Sequence, residues 1–225
     1  VLCEKPLSDT LDDARSMVAA ADGATSIARI GLTFLRNPAI AAIRNLIQSG
    51  KLGKVLHFSG QYWADYSADP AAPMAWRYKG EMGTSALADV GSHISYVSEF
   101  IVGKPFKAVS GARFVTSITE RPVATGAVMG HGLAEVSGEM DKVENDDYAG
   151  FSVDFGGVPG VIEVSRVAAG HPTSLKFEVF CEKGAAVFDQ RRNGEFQLMF
   201  NEGPYGERGY RTVQVGPDHP YIAGG

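Results

Sequence analysis

Three segments in the first half of the chain carry apolar residues at the spacing of an amphipathic helix. They begin after Thr10, at Pro38 and near Ser85, and they end at Gly23, Gly50 and Val102. These limits agree with known preferences, because hydroxyl side chains cap helix N-termini, proline fits the first turn and glycine ends a helix. The pattern therefore predicts three helices, each with one apolar face.

From Phe106 onward apolar and polar residues alternate, which predicts strands. These strands cover Val109–Ile118, Tyr148–Phe155, Val158–Val167, Leu175–Cys181, Ala185–Asp189, Phe196–Phe200 and Arg211–Val215. Two earlier strands are predicted at Ser26–Phe34 and Val55–Trp63. Ala64–Glu81 has no period and predicts a long loop, and Thr119–Asn145 is interpreted as a polar segment that crosses between strands.

The order of the elements predicts an α+β fold. Helices come first, and successive strands follow, with hairpin turns such as Gly156-Gly157 between neighbouring strands. The sheet is expected to be open and largely antiparallel, with the helices on one face. On its other face, Val161 and Phe180 lie among Glu163 and Glu178, so that face is mixed in polarity. Because large exposed apolar patches are uncommon on soluble monomers, the face is predicted to pair with further copies in a homodimer or tetramer.

The composition is that of a soluble globular protein. The chain has 225 residues, of which 44% are hydrophobic and 21% charged, with a net charge of −5. No apolar run reaches the roughly 18 to 20 residues of a membrane span, and no basic stripe indicates nucleic acid, so neither partner is predicted. Cys3 and Cys181 are too few for a disulfide framework, and two free thiols favour a cytoplasmic location.

The third predicted helix contains Asp89 and His93 four residues apart, so their side chains lie on one face. Tyr96 extends that polar stripe, and Gly91 leaves room for a ligand or another backbone segment. Taken alone, this spacing more often describes a solvated pair that stabilises a surface helix by about 0.2–0.5 kcal/mol. No metal site is predicted, because neither an HExxH motif nor a cysteine cluster supplies further ligands.

Two motifs taken together resemble those of the Gfo/Idh/MocA family of NAD(P)-dependent oxidoreductases. They are Glu4-Lys5-Pro6, within the opening segment Leu2–Leu7, and Asp89-x-Gly91-x-His93. Further stretches are similar to family segments at Phe34–Pro38, Leu46–Gly53, Trp76-Arg77, Val153–Gly157 and Cys181–Ala185. The resemblance extends over nearly the whole chain, although Cys181 stands where the family usually has glycine.

By that resemblance, Lys5, Asp89 and His93 are the catalytic residues of a hydride transfer between a nicotinamide cofactor, NAD or NADP, and a hydroxyl-bearing carbon. His93 would be the general base in oxidation, Lys5 would hydrogen-bond the reacting oxygen, and Asp89 would bind a substrate hydroxyl or orient the other two. The implied cofactor-binding residues are Glu4, Lys5, Arg36, Trp76 and Arg77. The implied residues for a sugar or cyclitol (inositol-like) substrate are Lys5, Asp89, His93, Tyr96 and Arg166.

The resemblance places this chain in the central and C-terminal part of a family member. Residues 1–33 would be the end of the dinucleotide-binding domain, and residues 34–225 an α+β substrate-binding and oligomerisation domain truncated at its C-terminus. No GxGxxG motif, which cradles a dinucleotide pyrophosphate, occurs in the sequence, so the Rossmann domain is expected to be missing. The parent protein is thus expected to be an enzyme, and this chain alone to be inactive.

Three functions remain open from the sequence. In the first, the chain is part of a sugar or cyclitol dehydrogenase, and the presence of both Lys5 and His93 favours this interpretation. The second is a non-catalytic member of the same family that binds ligands without turnover. The third is a stand-alone substrate-binding or dimerisation domain.

Overall fold

A computed structural model of the chain describes residues 1–80, 83–128 and 134–222. Its helices are α1 (Leu11–Asp22), α2 (Pro38–Gln48) and α3 (Ser92–Val102). Its strands are β1 (Leu2–Cys3), β2 (Arg29–Ile30), β3 (Val55–Trp63), β4 (Ala108–Val115), β5 (Glu120–Ala124), β6 (Val136–Lys142), β7 (Tyr148–Asp154), β8 (Pro159–Ser165), β9 (Ser174–Cys181), β10 (Gly184–Asp189), β11 (Glu195–Phe200) and β12 (Arg211–Gln214). No helix in these ranges is both long enough and apolar enough to cross a membrane.

The second helix begins and packs as its sequence predicts. The Asn37 side chain accepts hydrogen bonds from the backbone N–H groups of Ala39 and Ile40, which satisfies two donors that have no partner within the helix. Ile40 and Ile43 are fully buried. This face lies against α3 and the sheet, so α2 helps to cover the sheet beside the site described below.

An eight-stranded sheet dominates the structure, in the order β12-β11-β10-β9-β3-β8-β7-β4. Its neighbouring strands are antiparallel except for β3 and β8, which run parallel with Phe58 opposite Gly160. The prediction of a largely antiparallel α+β sheet is therefore confirmed. The parallel pair matters for the site. Because β3 and β8 run in the same direction, the residues that follow them leave the sheet at the same end.

Alternate residues of the central strands face opposite sides of this sheet. Phe58, Ile162 and Phe177 are buried on the helix side, where α3 packs on β3. On the other side Val161, in the middle of β8, is 53% exposed. The structure thus has one covered face and one open face of mixed polarity.

The predicted strand at Ser26–Phe34 is wrong over most of its length. Only Arg29–Ile30 forms a strand, and it pairs in parallel with Leu2–Cys3 in a separate two-stranded sheet. The chain then turns through a 3₁₀ segment at Thr33–Arg36 into the cap of α2. The alternating pattern overestimated the strand because β1 offers only two residues for pairing.

The predicted polar crossing segment contains a β-hairpin. Strands β5 and β6 pair antiparallel, with Glu120 opposite Lys142, and most of their side chains are at least partly exposed. Because neither face of this hairpin is fully buried, its sequence lacks the apolar alternation that identifies a half-buried strand. His131 and its neighbours at 129–133, like Glu81 in the predicted long loop, lie outside the described residues.

The third predicted helix is not a regular α-helix throughout. Leu87–Gly91 forms a π-helical turn, and α3 continues from it to Val102. Gly103, with φ of 78°, ends the helix in the left-handed region, as glycine readily does. Wide turns of this kind often occur at functional sites, and this one carries Asp89.

Candidate active site

Lys5 and Asp89 meet directly, although one follows β1 and the other lies in the π-helical turn. The Lys5 Nζ atom donates to the main-chain oxygen of Asp89 at 2.7 Å and to its Oδ1 at 3.1 Å. The two side chains are 14% and 32% exposed. The Ser92 hydroxyl donates to the same main-chain oxygen at 3.0 Å. The wide turn therefore presents a carbonyl oxygen that side chains can reach.

Tyr66 completes the hydrogen bonding of the Asp89 carboxylate. Its hydroxyl donates to Asp89 Oδ2 at 2.8 Å, while Lys5 occupies Oδ1. Burial alone would raise the pKa of Asp89, but the Lys5 charge and the hydrogen bonds from Tyr66 and Lys5 outweigh it and lower that pKa. Burial and the Asp89 charge raise the pKa of Tyr66. Asp89 is thus an ionised acceptor and Tyr66 a protonated donor near neutral pH.

His93 lies beside this pair in an aromatic setting. Its ring is 5.2 Å from that of Phe34 and 5.7 Å from that of Tyr62, measured between centroids. Its Nδ1 atom is 2.9 Å from the Tyr96 hydroxyl oxygen. Burial and the Lys5 charge lower the pKa of His93 to about 4, against an opposing influence of Asp89. The imidazole is therefore neutral at pH 7 and able to accept a proton.

The structure brings the three predicted catalytic residues into one electrostatic group. Lys5 bonds Asp89, and both charges act on His93. A cation, a carboxylate and a neutral imidazole in a half-buried position can hold an alcohol oxygen and take up its proton. No cluster of three or more His, Cys, Asp or Glu side chains suited to a metal ion is found among the described residues.

The predicted cofactor-binding residues differ in their positions. Glu4 is exposed, and its carboxylate lies beside Gly31. A Cβ atom added to Gly31 would be 3.1 Å from Glu4 Oε2. Arg36 is exposed and donates to the Tyr221 hydroxyl at 3.0 Å. Trp76 is also exposed, and the Arg77 guanidinium lies over its ring, 4.3 Å from the centroid. The Arg77 charge contributes to the lowered pKa of Asp89, which connects this arginine to the site.

Arg166, predicted to contact substrate, is fully enclosed by other groups of the chain in this structure. Its side chain and that of Asp147 are both 0% exposed, and Arg166 Nε donates to Asp147 Oδ1 at 2.9 Å. The same guanidinium donates to the main-chain oxygens of Arg77 and Thr84 and to the Asn145 side chain. A buried arginine needs such partners, and these leave no exposed donor for a ligand. Arg166 instead anchors the segment that carries Arg77.

Tyr96, predicted to contact substrate, is directed to other groups of the chain. Its hydroxyl oxygen contacts His93 Nδ1 and accepts a 3.3 Å hydrogen bond from the backbone N–H of Phe34. Substrate contact by Tyr96 stays a prediction. Its observed partners make it a support for the imidazole.

Sequence reasoning missed Tyr66 because this residue lies in the aperiodic loop after β3. The parallel pairing of β3 and β8 explains the position of Tyr66. Tyr66 follows β3 and Arg166 follows β8, and the two strands end at the same end of the sheet. The available signal was a polar-tipped aromatic residue just beyond a predicted strand. That signal becomes specific only when the strand order is known.

Residues 40–187 match the GFO/IDH/MocA C-terminal domain. The chain is 35% identical over 228 residues to a levoglucosan dehydrogenase of Pseudarthrobacter phenanthrenivorans, covering 100% of this chain and 58% of that protein. A solved structure of levoglucosan dehydrogenase in complex with NADH and L-sorbose superposes with a TM-score of 0.87 at 33% identity, covering 98% of this chain and 55% of the other. An oxidoreductase domain protein from Kribbella flavida gives a TM-score of 0.89 at 37% identity, with coverages of 99% and 58%. The chain thus spans a little over half the length of these relatives.

Proposed function

The chain belongs to the GFO/IDH/MocA family, and on that premise we propose that its parent protein is a nicotinamide-dependent dehydrogenase acting on a sugar hydroxyl. The observation that carries the proposal is the contact between Lys5 and Asp89 beside a neutral His93. A non-catalytic family member would not need these three groups together. This site therefore favours turnover over ligand binding alone.

Each of the three residues has a separate role in the proposed oxidation. His93 accepts the proton of the substrate hydroxyl, because its imidazole is neutral at pH 7. The Lys5 ammonium donates a hydrogen bond to the same oxygen and stabilises the negative charge that develops there. Asp89 holds the ammonium in position through its carboxylate and main-chain oxygen. In reduction the proton moves in the opposite direction, from His93 to the product oxygen.

When bound, the nicotinamide cofactor would accept the hydride from the carbon that bears the hydroxyl. The residues of the site suit a nicotinamide cofactor. Lys5 is cationic, and Phe34 and Tyr62 provide apolar ring surface beside His93. We assign the Glu4 carboxylate and the stacked Trp76-Arg77 pair to cofactor contact as well. Arg36 is a weaker member of this group, because its guanidinium is paired with Tyr221. NAD and NADP both remain compatible with these residues.

A sugar is the preferred substrate class. The levoglucosan dehydrogenase relative is named for a sugar substrate, and a solved structure of a levoglucosan dehydrogenase contains L-sorbose. A cyclitol presents similar hydroxyl groups and is the second candidate. Comparing initial rates on a panel of aldoses, anhydrosugars and inositols would separate the two classes.

The catalytic assignment is tested in the full-length parent protein with His93→Ala and Lys5→Ala. Loss of a general acid–base or of charge stabilisation should lower kcat by about 10²- to 10⁴-fold. Matched controls are Lys51→Ala, on an exposed lysine, and His219→Ala, on a histidine in the C-terminal turn. Rates near those of wild type in both site variants, with sugar as substrate, would refute the assignment.

We further propose a division of the chain near residue 33 and a cytoplasmic location. The small β1–β2 sheet is separate from the eight-stranded sheet, which supports the division into a cofactor-proximal part and a substrate-binding part. Cys3 and Cys181 are both free thiols, which is usual in a reducing compartment. Cell fractionation with an antibody against the parent protein would test the location.

The 225 residues alone are proposed to bind NADH weakly and to be inactive, because their sequence holds no GxGxxG phosphate cradle. Fluorescence titration of the isolated chain with NADH provides the measurement. Micromolar affinity would contradict this part of the proposal.

A further inference from the structure

A buried arginine outside the large sheet binds the loop that carries Tyr66. Arg121 lies in strand β5 of the separate β5–β6 hairpin and is fully buried. Its guanidinium donates to the main-chain oxygen of Ser67 at 2.6 Å and to that of Asp69 at 2.7 Å. Both acceptors lie within three residues after Tyr66. The hairpin therefore holds the loop directly beside the residue that contacts Asp89.

A tyrosine ring packs against this guanidinium. The Cζ atom of Arg121 is 4.2 Å from the centroid of the Tyr78 ring, and that of Arg166 is 4.9 Å from the same centroid. The Tyr78 hydroxyl oxygen is 3.0 Å from Ser67 Oγ, and both residues are buried. The backbone N–H of Ser67 donates to the main-chain oxygen of Arg166 at 3.0 Å. Ser67 is thus held through its main-chain oxygen, its main-chain nitrogen and its hydroxyl.

The charge of Arg121 makes this arrangement selective for one loop conformation. Among the described residues no carboxylate forms an ion pair with Arg121, so the two loop oxygens and the Tyr78 ring are its observed partners. Burying a charge is costly unless hydrogen bonds compensate it. A conformation that moved the oxygens of Ser67 and Asp69 away would leave the buried guanidinium without acceptors, and it is therefore disfavoured.

This restraint reaches the candidate active site through Tyr66. Tyr66 directly precedes Ser67, and its hydroxyl donates to Asp89 Oδ2 at 2.8 Å. Lys5 donates to Oδ1 of the same carboxylate. Because a hydrogen bond weakens steeply as its geometry departs from the optimum, a displaced loop would weaken the bond between Tyr66 and Asp89. The contact of Lys5 with Asp89 does not involve this loop and would remain.

We propose that Arg121 is a positioning residue of the candidate active site, which holds Tyr66 in hydrogen-bond contact with Asp89. The inference rests on the proposed function and adds to it a residue of the β5–β6 hairpin. The observed hydrogen bonds of Arg121 go to loop oxygens, so it acts through Ser67 and Tyr66 and is not one of the residues that would touch the substrate. Tyr78 supports the same arrangement through the Ser67 hydroxyl.

The principal test is Arg121→Lys in the full-length parent protein. Lysine keeps the positive charge but presents one ammonium in place of the planar fork that reaches two oxygens. The loop should lose one of its two fixed points, and kcat/KM for the sugar should fall about 3- to 10-fold as the bond between Tyr66 and Asp89 weakens. Lys142→Met, which removes an exposed cation from the other strand of the hairpin, is the matched control and should leave kcat/KM unchanged.

A double-mutant cycle separates positioning from a general effect on the fold. When Arg121→Lys is added to Tyr66→Phe, kcat/KM should fall by less than about twofold further, because the hydroxyl that Arg121 positions is already gone. A merely structural role would lower kcat/KM by the same factor in both backgrounds.

Tyr78→Phe supplies a second, milder cycle that remains informative where Arg121→Lys does not fold. It removes the hydroxyl beside Ser67 and keeps the ring on which both guanidinium groups pack. This variant should lower kcat/KM by about 2- to 3-fold in the wild-type background and leave it unchanged in the Tyr66→Phe background.

Carbon NMR titration of Asp89 tests the same contact without turnover. In the protein without cofactor, the pKa of Asp89 should rise in Arg121→Lys, because the Tyr66 hydroxyl helps to lower that pKa. Lys5 and Arg77 also lower it, so variant and wild type are compared at one ionic strength. The control Lys142→Met should leave the titration unchanged.

Equal losses from Arg121→Lys in the wild-type and Tyr66→Phe backgrounds would overturn the proposal. Unchanged kcat/KM in both Arg121→Lys and Tyr78→Phe, or an unchanged pKa of Asp89 in Arg121→Lys, would do the same. Full activity in His93→Ala would instead refute the proposed function, whereas a raised pKa of Asp89 in Arg121→Lys would still support the positioning of Tyr66. The two failures are therefore distinguishable.

Discussion

The Lys5 ammonium contacts Asp89 through two atoms, the main-chain oxygen at 2.7 Å and carboxylate Oδ1 at 3.1 Å, although 84 positions separate the residues. The main-chain contact is possible because Asp89 lies in a π-helical turn. This contact joins the segment after β1 to the helical turn that packs on the large sheet. It also connects residue 5 to the surroundings of His93.

Tyr66→Phe is expected to weaken the site without removing any charged residue. A hydrogen bond to an ionised group contributes about 1.5–3 kcal/mol, so its loss should lower kcat/KM by about tenfold or more. The pKa of Asp89 should rise, since the Tyr66 hydroxyl helps to lower it. Steady-state kinetics and carbon NMR titration of Asp89 measure the two effects, with Tyr210→Phe as the control. An unaltered Asp89 pKa would contradict the role given to Tyr66.

The neutral His93 should make the protein less stable in acid. Its pKa is about 4 when folded and near 6.5 when exposed, so the unfolded chain binds more protons between those values. The contribution of His93 is fully present above pH 6.5 and is lost as pH falls toward 4. Thermal unfolding should therefore show a steeper fall in Tm for wild type than for His93→Gln in that window. Parallel curves would count against the lowered pKa.

Arg166→Met should destabilise the fold strongly, because it leaves Asp147 buried without its ion-pair partner. Breaking a buried pair costs about 3–5 kcal/mol. The control is Arg191→Met, which breaks an exposed pair with Asp189 and should cost at most about 1 kcal/mol. Urea unfolding of both variants gives the comparison. Similar midpoints would show that the buried network contributes little.

The open sheet face is expected to form a two-fold symmetric homodimer with an interface of about 1,600 Å² or more. Val161→Asp places a charge on that face and should shift a dimer to monomer in sedimentation velocity at micromolar concentration. Tyr205→Asp, on an exposed turn outside the strands, should leave the association unchanged. A wild-type monomer under these conditions would mean that the face is simply solvated.

The sequence was sufficient for features that depend on local periodicity. The apolar stripe of α2 and its start at Pro38 reappear in the structure, as does the alternation along Tyr148–Asp154 and Ser174–Cys181. The closeness of Asp89 and His93 along one helical segment was predictable for the same reason. A repeat of 2 or 3.6 residues records which side of an element is buried, and it does so within a few neighbouring residues.

Tertiary structure decided which distant residues meet. Nothing in the local pattern indicates that Tyr66 reaches Asp89 or that Arg166 is fully enclosed beside Asp147. These contacts follow from the parallel placement of β3 beside β8 and from the turn that brings Lys5 to Asp89. Periodicity indicates which face of an element is buried. Which residues pack on that face depends on strand order and register, and these are fixed only when the whole sheet assembles.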